Sequence, residues 1–189
     1  MWLKIINIIG DMVKKSINIY PESVPTVFDS AMEYMLANEG GHSDNPDDPG
    51  GETYMGISSV KHPELDVTGL SHKEAHDFYF SNYWKPYRAA GLPDKVAIKY
   101  FDTLVNFGPY SAALILQYSL MDCGVGHIKA DGVVGSRTVG AAYQVDEDLL
   151  LPAMCANQLR RYLGKITHNP KLKTFLNGWS RRAYRLPTD

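Results

Sequence analysis

The sequence lacks the features that mark several classes of protein. Its two cysteines, Cys123 and Cys155, are too few for a disulfide scaffold and too far apart in sequence for a paired zinc site. Two alternatives stay open for these cysteines: they form one disulfide, or they are two buried free thiols. No run of about eighteen apolar residues is present, which excludes a conventional membrane-spanning helix. The eleven prolines and sixteen glycines follow no repeat, which excludes a collagen-like or linker-dominated chain.

The sequence does contain enough apolar residues to fold, since 44% of its 189 residues are hydrophobic and 21% are charged. Its formal net charge of −2 is unevenly distributed. Residues 160–189 contain eight Lys and Arg against one Asp, which leaves eleven basic and twenty acidic residues in 1–159. A basic end can steer a protein toward nucleic acid, lipid headgroups or an anionic cell wall, and it can equally be a solvated helix face.

Residues 1–24 are predicted to form an N-terminal amphipathic extension. The apolar residues among the first thirteen recur at roughly helical spacing. A signal peptide fits less well, because Lys4 and Asn7 interrupt the apolar stretch and no small-residue cleavage site follows. Docking on the body of the protein and attachment to a membrane surface are the two alternatives for this extension.

Helical patterns dominate the rest of the chain and predict a mainly α fold. Apolar spacing, a capping box and the placement of proline and glycine predict helices over residues 26–38, 71–84, 93–107, 110–122, 136–144 and 147–166, with a further apolar helix face between Leu172 and Ala183. Residues 40–57 are rich in Asp, Asn, Pro and Gly, which predicts turns and one small β-hairpin with Thr53, Tyr54 and Met55 as a short strand.

Residues 39–57 form an acidic segment, which contains no Lys or Arg and five acids: Glu39, Asp44, Asp47, Asp48 and Glu52. An oxygen-rich loop can hold calcium. These carboxylates, however, do not occupy the alternating positions of an EF-hand loop, and no bidentate Glu closes it. Prolines follow Asn45 and Asp48, which favours a turn-forming role for those residues. We therefore expect no metal in this segment.

Glu39 is the candidate general acid, because it ends an apolar helix and precedes two glycines. The free carbonyls of a helix C-terminus disfavour a negative charge, and shelter from water raises the pKa of a carboxyl group further. A Glu that stays protonated can protonate a leaving-group oxygen. If the loop doubles back, Asp48 and Thr53 lie opposite Glu39 and hold a water or stabilise an oxocarbenium-like transition state. The alternative is an exposed acid at a helix end.

The acidic segment carries a specific resemblance. Its pattern, Glu-Gly-Gly-x5-Asp-Asp-Pro-Gly-Gly-x-Thr-x-x-Gly-Ile, resembles the signature of glycoside hydrolase family 108, the peptidoglycan-cleaving muramidases found as phage endolysins and secretion-associated proteins. The resemblance covers residues 27–185, and further pieces follow in order: Tyr83-Trp84, Leu92-Pro93, Phe101-Asp102-x3-Asn106-x-Gly108, Leu116-Gln117, Asp131-Gly-Val-Val-Gly135 and Gly178-Trp179-x-Arg181-Arg182. The family's catalytic Glu corresponds to Glu39. The spacing from Asp48 to Thr53 is one residue shorter than in other phage lysozymes.

The resemblance also implies substrate-binding roles. Asp102 and Asn106 share one helix face at i and i+4. Asn106 would bond an N-acetyl group or a sugar hydroxyl while Asp102 supports the site, or both would pin their helix to the acidic segment. Tyr54 offers a flat face for a sugar ring, or packs in the core. The turn from Asp131 to Thr138 resembles that of small peptidoglycan-binding modules.

The resemblance therefore implies a lysozyme-like helical fold with a catalytic lobe over 25–113 and a peptidoglycan-binding-like lobe packed on it over 114–189. The expected activity is that of an N-acetylmuramidase with Glu39, Asp48 and Thr53 as catalytic residues and no cofactor. Its expected partner is the glycan strand of the cell wall, and the protein would reach the wall through a holin or a dedicated route. We expect a monomer that binds no nucleic acid and does not insert stably into a membrane. The alternatives are a non-catalytic wall-binding or secretion-accessory protein, a chitinase-like glycosidase, and nucleic-acid binding through the basic end.

Overall fold

The computed structural model describes residues 26–39, 53–58, 62 and 66–188. Within these ranges the chain is mainly α, as the sequence predicts. Seven α-helices follow in order: α1 Val27–Glu39, α2 His72–Tyr79, α3 Asp94–Phe107, α4 Pro109–Asp122, α5 Ser136–Ala142, α6 Glu147–His168 and α7 Leu176–Tyr184. The predicted extension over 1–24 lies outside the described residues. None of the described helices is long and apolar enough to cross a lipid bilayer.

Helix α3 is the centre of the fold. Its residues from Val96 to Leu104 are all buried, including Lys99 and Asp102. Helices α1, α4 and α6 pack against it, and α6 in turn packs against α4 and α7. A single apolar cluster runs from α1 through α3 and α4 to α6. The polar residues of α3 are therefore held within this cluster and need partners there.

The predicted hairpin is present as two very short strands, β1 Thr53–Tyr54 and β2 Ile57–Ser58, which pair antiparallel. Met55 and Gly56 form the turn between them, with φ of 50° and 80°. Positive φ at both central residues is typical of a type I′ hairpin turn. Glycine adopts this conformation readily, and methionine does not. The Tyr79 hydroxyl donates a hydrogen bond of 2.9 Å to the Met55 carbonyl, which holds the turn against α2.

Local sequence signals account for the start of α2, and core packing accompanies its end. Ser71 and Glu74 form the predicted capping box, in which each side chain accepts a hydrogen bond from the other residue's backbone N–H. The sequence predicts a helix that reaches residue 84. The helix ends instead at Tyr79 and continues as a π-helical stretch, Phe80–Trp84. In this stretch Trp84 packs against Phe28 and Phe101, so core contacts accompany the wider turn.

The two halves of the chain meet at a tight break. Gly108 has a φ of 77° and Pro109 is the first residue of α4, so α3 and α4 are separated by one glycine of positive φ. The predicted lobe boundary between residues 113 and 114 falls inside α4. After α6, a 3₁₀ segment over Pro170–Phe175 leads into α7. Cys123 and Cys155 are both free thiols, so the disulfide alternative is not the one observed.

Candidate active site

Glu39 is the last residue of α1, which is where the sequence places it. The helix is held by an apolar face that includes Phe28, Ala31 and Met35, all buried against α3. The last carbonyls of a helix have no hydrogen-bond partner within it, and their partial negative charge disfavours a second negative charge nearby. The structure describes the backbone of Glu39, while the direction of its side chain and its separation from Asp48 stay predictions.

The residue before Glu39 is tied to the core. Asn38 donates a hydrogen bond of 3.0 Å from Nδ2 to Oδ1 of Asp102, and accepts one of 3.0 Å at Oδ1 from Arg185 Nη1. Asp102 has no exposed surface, and the Arg182 side chain, 10% exposed, donates to Asp102 Oδ1 from Nη2 at 2.9 Å. Arg182 Nε lies 3.2 Å and 3.3 Å from the two carboxylate oxygens. The end of α1 is thereby fixed to α3 and α7 by a buried charge pair.

Lys99 joins the same three helices, one turn before Asp102 on α3. It is fully buried, and its ammonium group donates hydrogen bonds to the carbonyls of Arg182, Ala183 and Arg185 at 3.1, 2.8 and 3.0 Å. These carbonyls belong to the C-terminal end of α7, where a cation is favoured. The pKa of Lys99 is lowered, chiefly because the ammonium group is buried away from water. The Tyr34 hydroxyl donates to the Arg185 carbonyl, and burial raises the pKa of Tyr34.

Asp102 and Asn106 face different neighbours, although they share one side of α3. Asp102 bonds to α1 and α7 as described above. Asn106 accepts a hydrogen bond of 2.7 Å at Oδ1 from the hydroxyl of Tyr162 on α6. These contacts pin α3 to α1, α6 and α7, whereas the predicted contact of both residues with the acidic segment stays a prediction. A contact of either residue with a sugar stays a prediction.

The remaining predicted site residues are only partly within the described ranges. Thr53 and Tyr54 form β1, and Tyr54 pairs with Ile57. Asp48 lies outside the described residues, so the predicted approach of Asp48 and Thr53 to Glu39 stays a prediction. Among the residues that the structure describes, no three His, Cys, Asp or Glu side chains form a group that could hold a metal ion.

The turn from Asp131 to Thr138 is built around Gln117 of α4. Gln117 Nε2 donates to Asp131 Oδ1 at 2.7 Å and to the Val133 carbonyl at 3.0 Å, while its Oε1 accepts from the Gly132 N–H at 2.9 Å. Hydrogen bonds lower the pKa of Asp131, and the bond from Gln117 has the largest effect. Gly132 has a φ of 77°. A buried amide therefore fixes the turn that resembles those of small peptidoglycan-binding modules.

Two features of this site were not predicted from sequence. Neither Lys99 nor the Arg182–Asp102 pair was expected to join the two halves. The only local signal was a lysine within the apolar run Val-Ala-Ile-Lys-Tyr-Phe of α3. Its hydrogen-bond partners lie 65 to 86 positions away in sequence, so no local pattern could name them.

Two family models match consecutive parts of the chain. Glycosyl hydrolase 108 matches residues 32–108, and the predicted peptidoglycan domain matches residues 111–184. They meet at the Gly108–Pro109 break between α3 and α4. The first match contains Glu39, Asp48, Thr53, Asp102 and Asn106, and the second contains Arg182.

One similar solved structure is that of SagA from Brucella abortus. It is 28% identical in sequence to this chain, and the similarity covers 86% of this chain and 96% of that one, with a TM-score of 0.62. No curated protein sequence matches the chain. The first part of the chain therefore carries a domain that matches the glycosyl hydrolase 108 model, and the second part carries a predicted peptidoglycan domain.

Proposed function

We propose that this chain is a peptidoglycan muramidase, which hydrolyses the β-1,4 bond between N-acetylmuramic acid and N-acetylglucosamine with Glu39 as general acid. A glycosyl hydrolase domain followed by a predicted peptidoglycan domain supports the substrate class. The observation that carries the assignment of Glu39 is its position as the last residue of α1, directly after the anchored Asn38.

The proposed chemistry needs one protonated carboxyl group and one group that supports positive charge. Glu39 donates its proton to the glycosidic oxygen as the bond to the muramic acid carbon breaks. The sugar left behind develops oxocarbenium character. Asp48 stabilises this charge, or together with Thr53 holds the water that attacks it. Water adds to the sugar carbon, and its proton returns to a carboxylate, which completes the hydrolysis.

The buried network keeps the acid in position. The Asn38–Asp102–Arg182 chain of hydrogen bonds fixes the backbone one residue before Glu39. A general acid must lie within hydrogen-bond reach of the leaving oxygen, so a loose helix end would misplace it. Asp102 and Asn38 are thus positioning residues. The second half of the chain contributes to the site through Arg182 and Arg185 of its C-terminal end.

Substitution of Glu39 by Gln tests the proposal. Gln keeps the shape of the side chain and cannot supply an acidic proton, so lysis of purified cell walls should fall by about 100- to 10,000-fold. Glu33→Gln is the matched control, because Glu33 is an exposed acid on the same helix. Turbidity loss gives the rate, and equal melting temperatures show that both variants fold.

Analysis of the released fragments tests the bond. A muramidase leaves muramic acid at the reducing end, and mass spectrometry after reduction identifies it. Fragments that end in N-acetylglucosamine would contradict the muramidase assignment. Binding to walls without any new reducing end, in the wild-type protein, would instead support the non-catalytic wall-binding alternative. A fully active Glu39→Gln variant would remove Glu39 from the mechanism.

A further inference from the structure

A large cavity lies in the part of the chain that matches the predicted peptidoglycan domain, and none of its lining residues in the described ranges belongs to α1 or α3. It is an open groove of about 730 Å³ between α4, α6 and the 3₁₀ segment. Leu114 and Ile115 of α4, Tyr118 and Leu172 form its apolar floor. This volume is within the usual range for small-ligand sites.

The rim of the groove is positively charged. Arg160, Arg161, Lys165 and His168 line it from α6, all of them exposed, and no acidic residue is among its lining residues in the described ranges. Their spacing puts them on one side of the helix. The nearby acid Asp122 pairs with Arg160 at 3.1 Å, and this pair is largely exposed. Arg160 also donates to Asn157 Oδ1 at 3.1 Å. An exposed ion pair is worth little, so Arg160 can exchange Asp122 for a ligand carboxylate.

A glycine keeps the groove open. Gly164 lies on the groove side of α6, inside the helix, where glycine is less favourable than alanine. A Cβ atom added there would meet no atom within 4 Å. No packing contact therefore requires glycine at this position. A side chain at residue 164 would project into the groove and occupy it.

We propose that this groove, which we name the α4–α6 groove, binds the stem peptide of peptidoglycan. The peptide combines free carboxylates with small aliphatic side chains, and so matches a basic rim above an apolar floor. A phosphate-rich polymer would leave the floor without a partner. A nucleic acid would need a series of stacking aromatics, and the groove has one, Tyr118, among its described lining residues. The inference deepens the proposed function, because it rests on peptidoglycan being the substrate.

The direct test is calorimetric titration of the full-length protein with a synthetic stem tetrapeptide. Arg160→Gln/Arg161→Gln should weaken binding by about tenfold, since two exposed charge contacts to the peptide carboxylates are lost. Lys85→Gln/Arg181→Gln is the matched control, which removes two exposed positive charges outside the groove and should leave affinity within about twofold.

Two further arms keep the proposal testable if a charge variant is unstable. Gly164→Met fills the groove while favouring the helix, and it should also abolish peptide binding. The tetrapeptide with all its carboxylates converted to amides should bind the wild-type protein at least about tenfold more weakly, since the charge-assisted contacts are lost. The proposal would be overturned if Gly164→Met or Arg160→Gln/Arg161→Gln bound the tetrapeptide as tightly as the wild type, or if the amidated tetrapeptide bound as tightly as the free one.

Rival occupants give different results. Tighter binding of a teichoic acid or of single-stranded DNA than of the tetrapeptide, lost in the same double variant, would reassign the groove and overturn the proposal. A dimer detected by sedimentation of the wild-type protein that becomes a monomer in Gly164→Met would also overturn the proposal. Because the tetrapeptide has no glycosidic bond, Glu39→Gln should bind it normally. A failure of the catalytic proposal and a failure of the groove proposal are thus distinguished.

Discussion

Two Arg–Asp pairs in this protein have nearly the same length and different consequences. Arg182 and Asp102 lie 2.9 Å apart with side chains 10% and 0% exposed, whereas Arg160 and Asp122 lie 3.1 Å apart with side chains 68% and 48% exposed. Water cannot replace a lost partner of the buried pair, and Asp102 also bonds to Asn38. The buried pair therefore fixes the end of α1 against α7. The exposed pair is screened by water and is free to rearrange. Burial, more than distance, separates a charge that builds the fold from one that can serve a ligand.

The largest effect on folding is expected from breaking the buried pair. Arg182→Met leaves Asp102 charged and buried without its main partner, and should lower the free energy of unfolding by about 3–5 kcal/mol. Arg160→Met, the exposed counterpart, should lower it by less than about 1 kcal/mol. Urea denaturation monitored by circular dichroism measures both. Equal losses in the two variants would refute the distinction drawn between the pairs.

A smaller effect is expected at Asn38, and it concerns catalysis. Asn38→Ala removes the hydrogen bond to Asp102 and the one from Arg185, which together cost about 1–2 kcal/mol of stability, and loosens the residue before Glu39. The kcat on soluble glycan fragments should fall by about tenfold with KM unchanged, because position rather than binding is altered.

Tyr34→Phe is the control for Asn38→Ala. It removes the hydrogen bond of the Tyr34 hydroxyl to the Arg185 carbonyl and the one that Lys99 donates to this hydroxyl at 3.4 Å, and it keeps the Asn38–Asp102 bond. It should cost similar stability and leave kcat nearly unaffected. If both variants reduce kcat equally, Asn38 supports the fold of α1 and does not position Glu39.

The smallest effect is expected at an exposed carboxylate that is nevertheless held by hydrogen bonds. The pKa of Asp131 is lowered from 3.8, chiefly by the bond from Gln117. Its contribution to stability is therefore fully present above pH 3.8 and is lost as the pH falls through the folded pKa. The stability difference between wild type and Asp131→Asn should shrink between about pH 7 and about pH 2.5, as urea titrations at both pH values would show. A difference that is independent of pH would contradict this account.

Much of the local structure follows from short-range signals. The Ser71–Glu74 capping box, the Gly108–Pro109 break and the end of α1 at Glu39 were all predicted, because each depends on residues within one turn of each other. The hairpin was also predicted, although Met55 was expected in its strand and lies in its turn. The π-helical stretch after α2 was not predicted, since the sequence around it is typical of an ordinary helix.

The helices, the acidic segment and the family pattern around Glu39 can be predicted from the amino-acid sequence, because they depend on spacing along the chain. The contact of Lys99 with the end of α7, the link of Asp102 to Asn38 and Arg182, and the basic rim of the apolar groove follow from the packing of the helices. Each of these arrangements unites residues that are distant in sequence. Which distant residues meet is set by how the helices pack together, and the burial that results decides which charges are fixed and which stay available to a ligand.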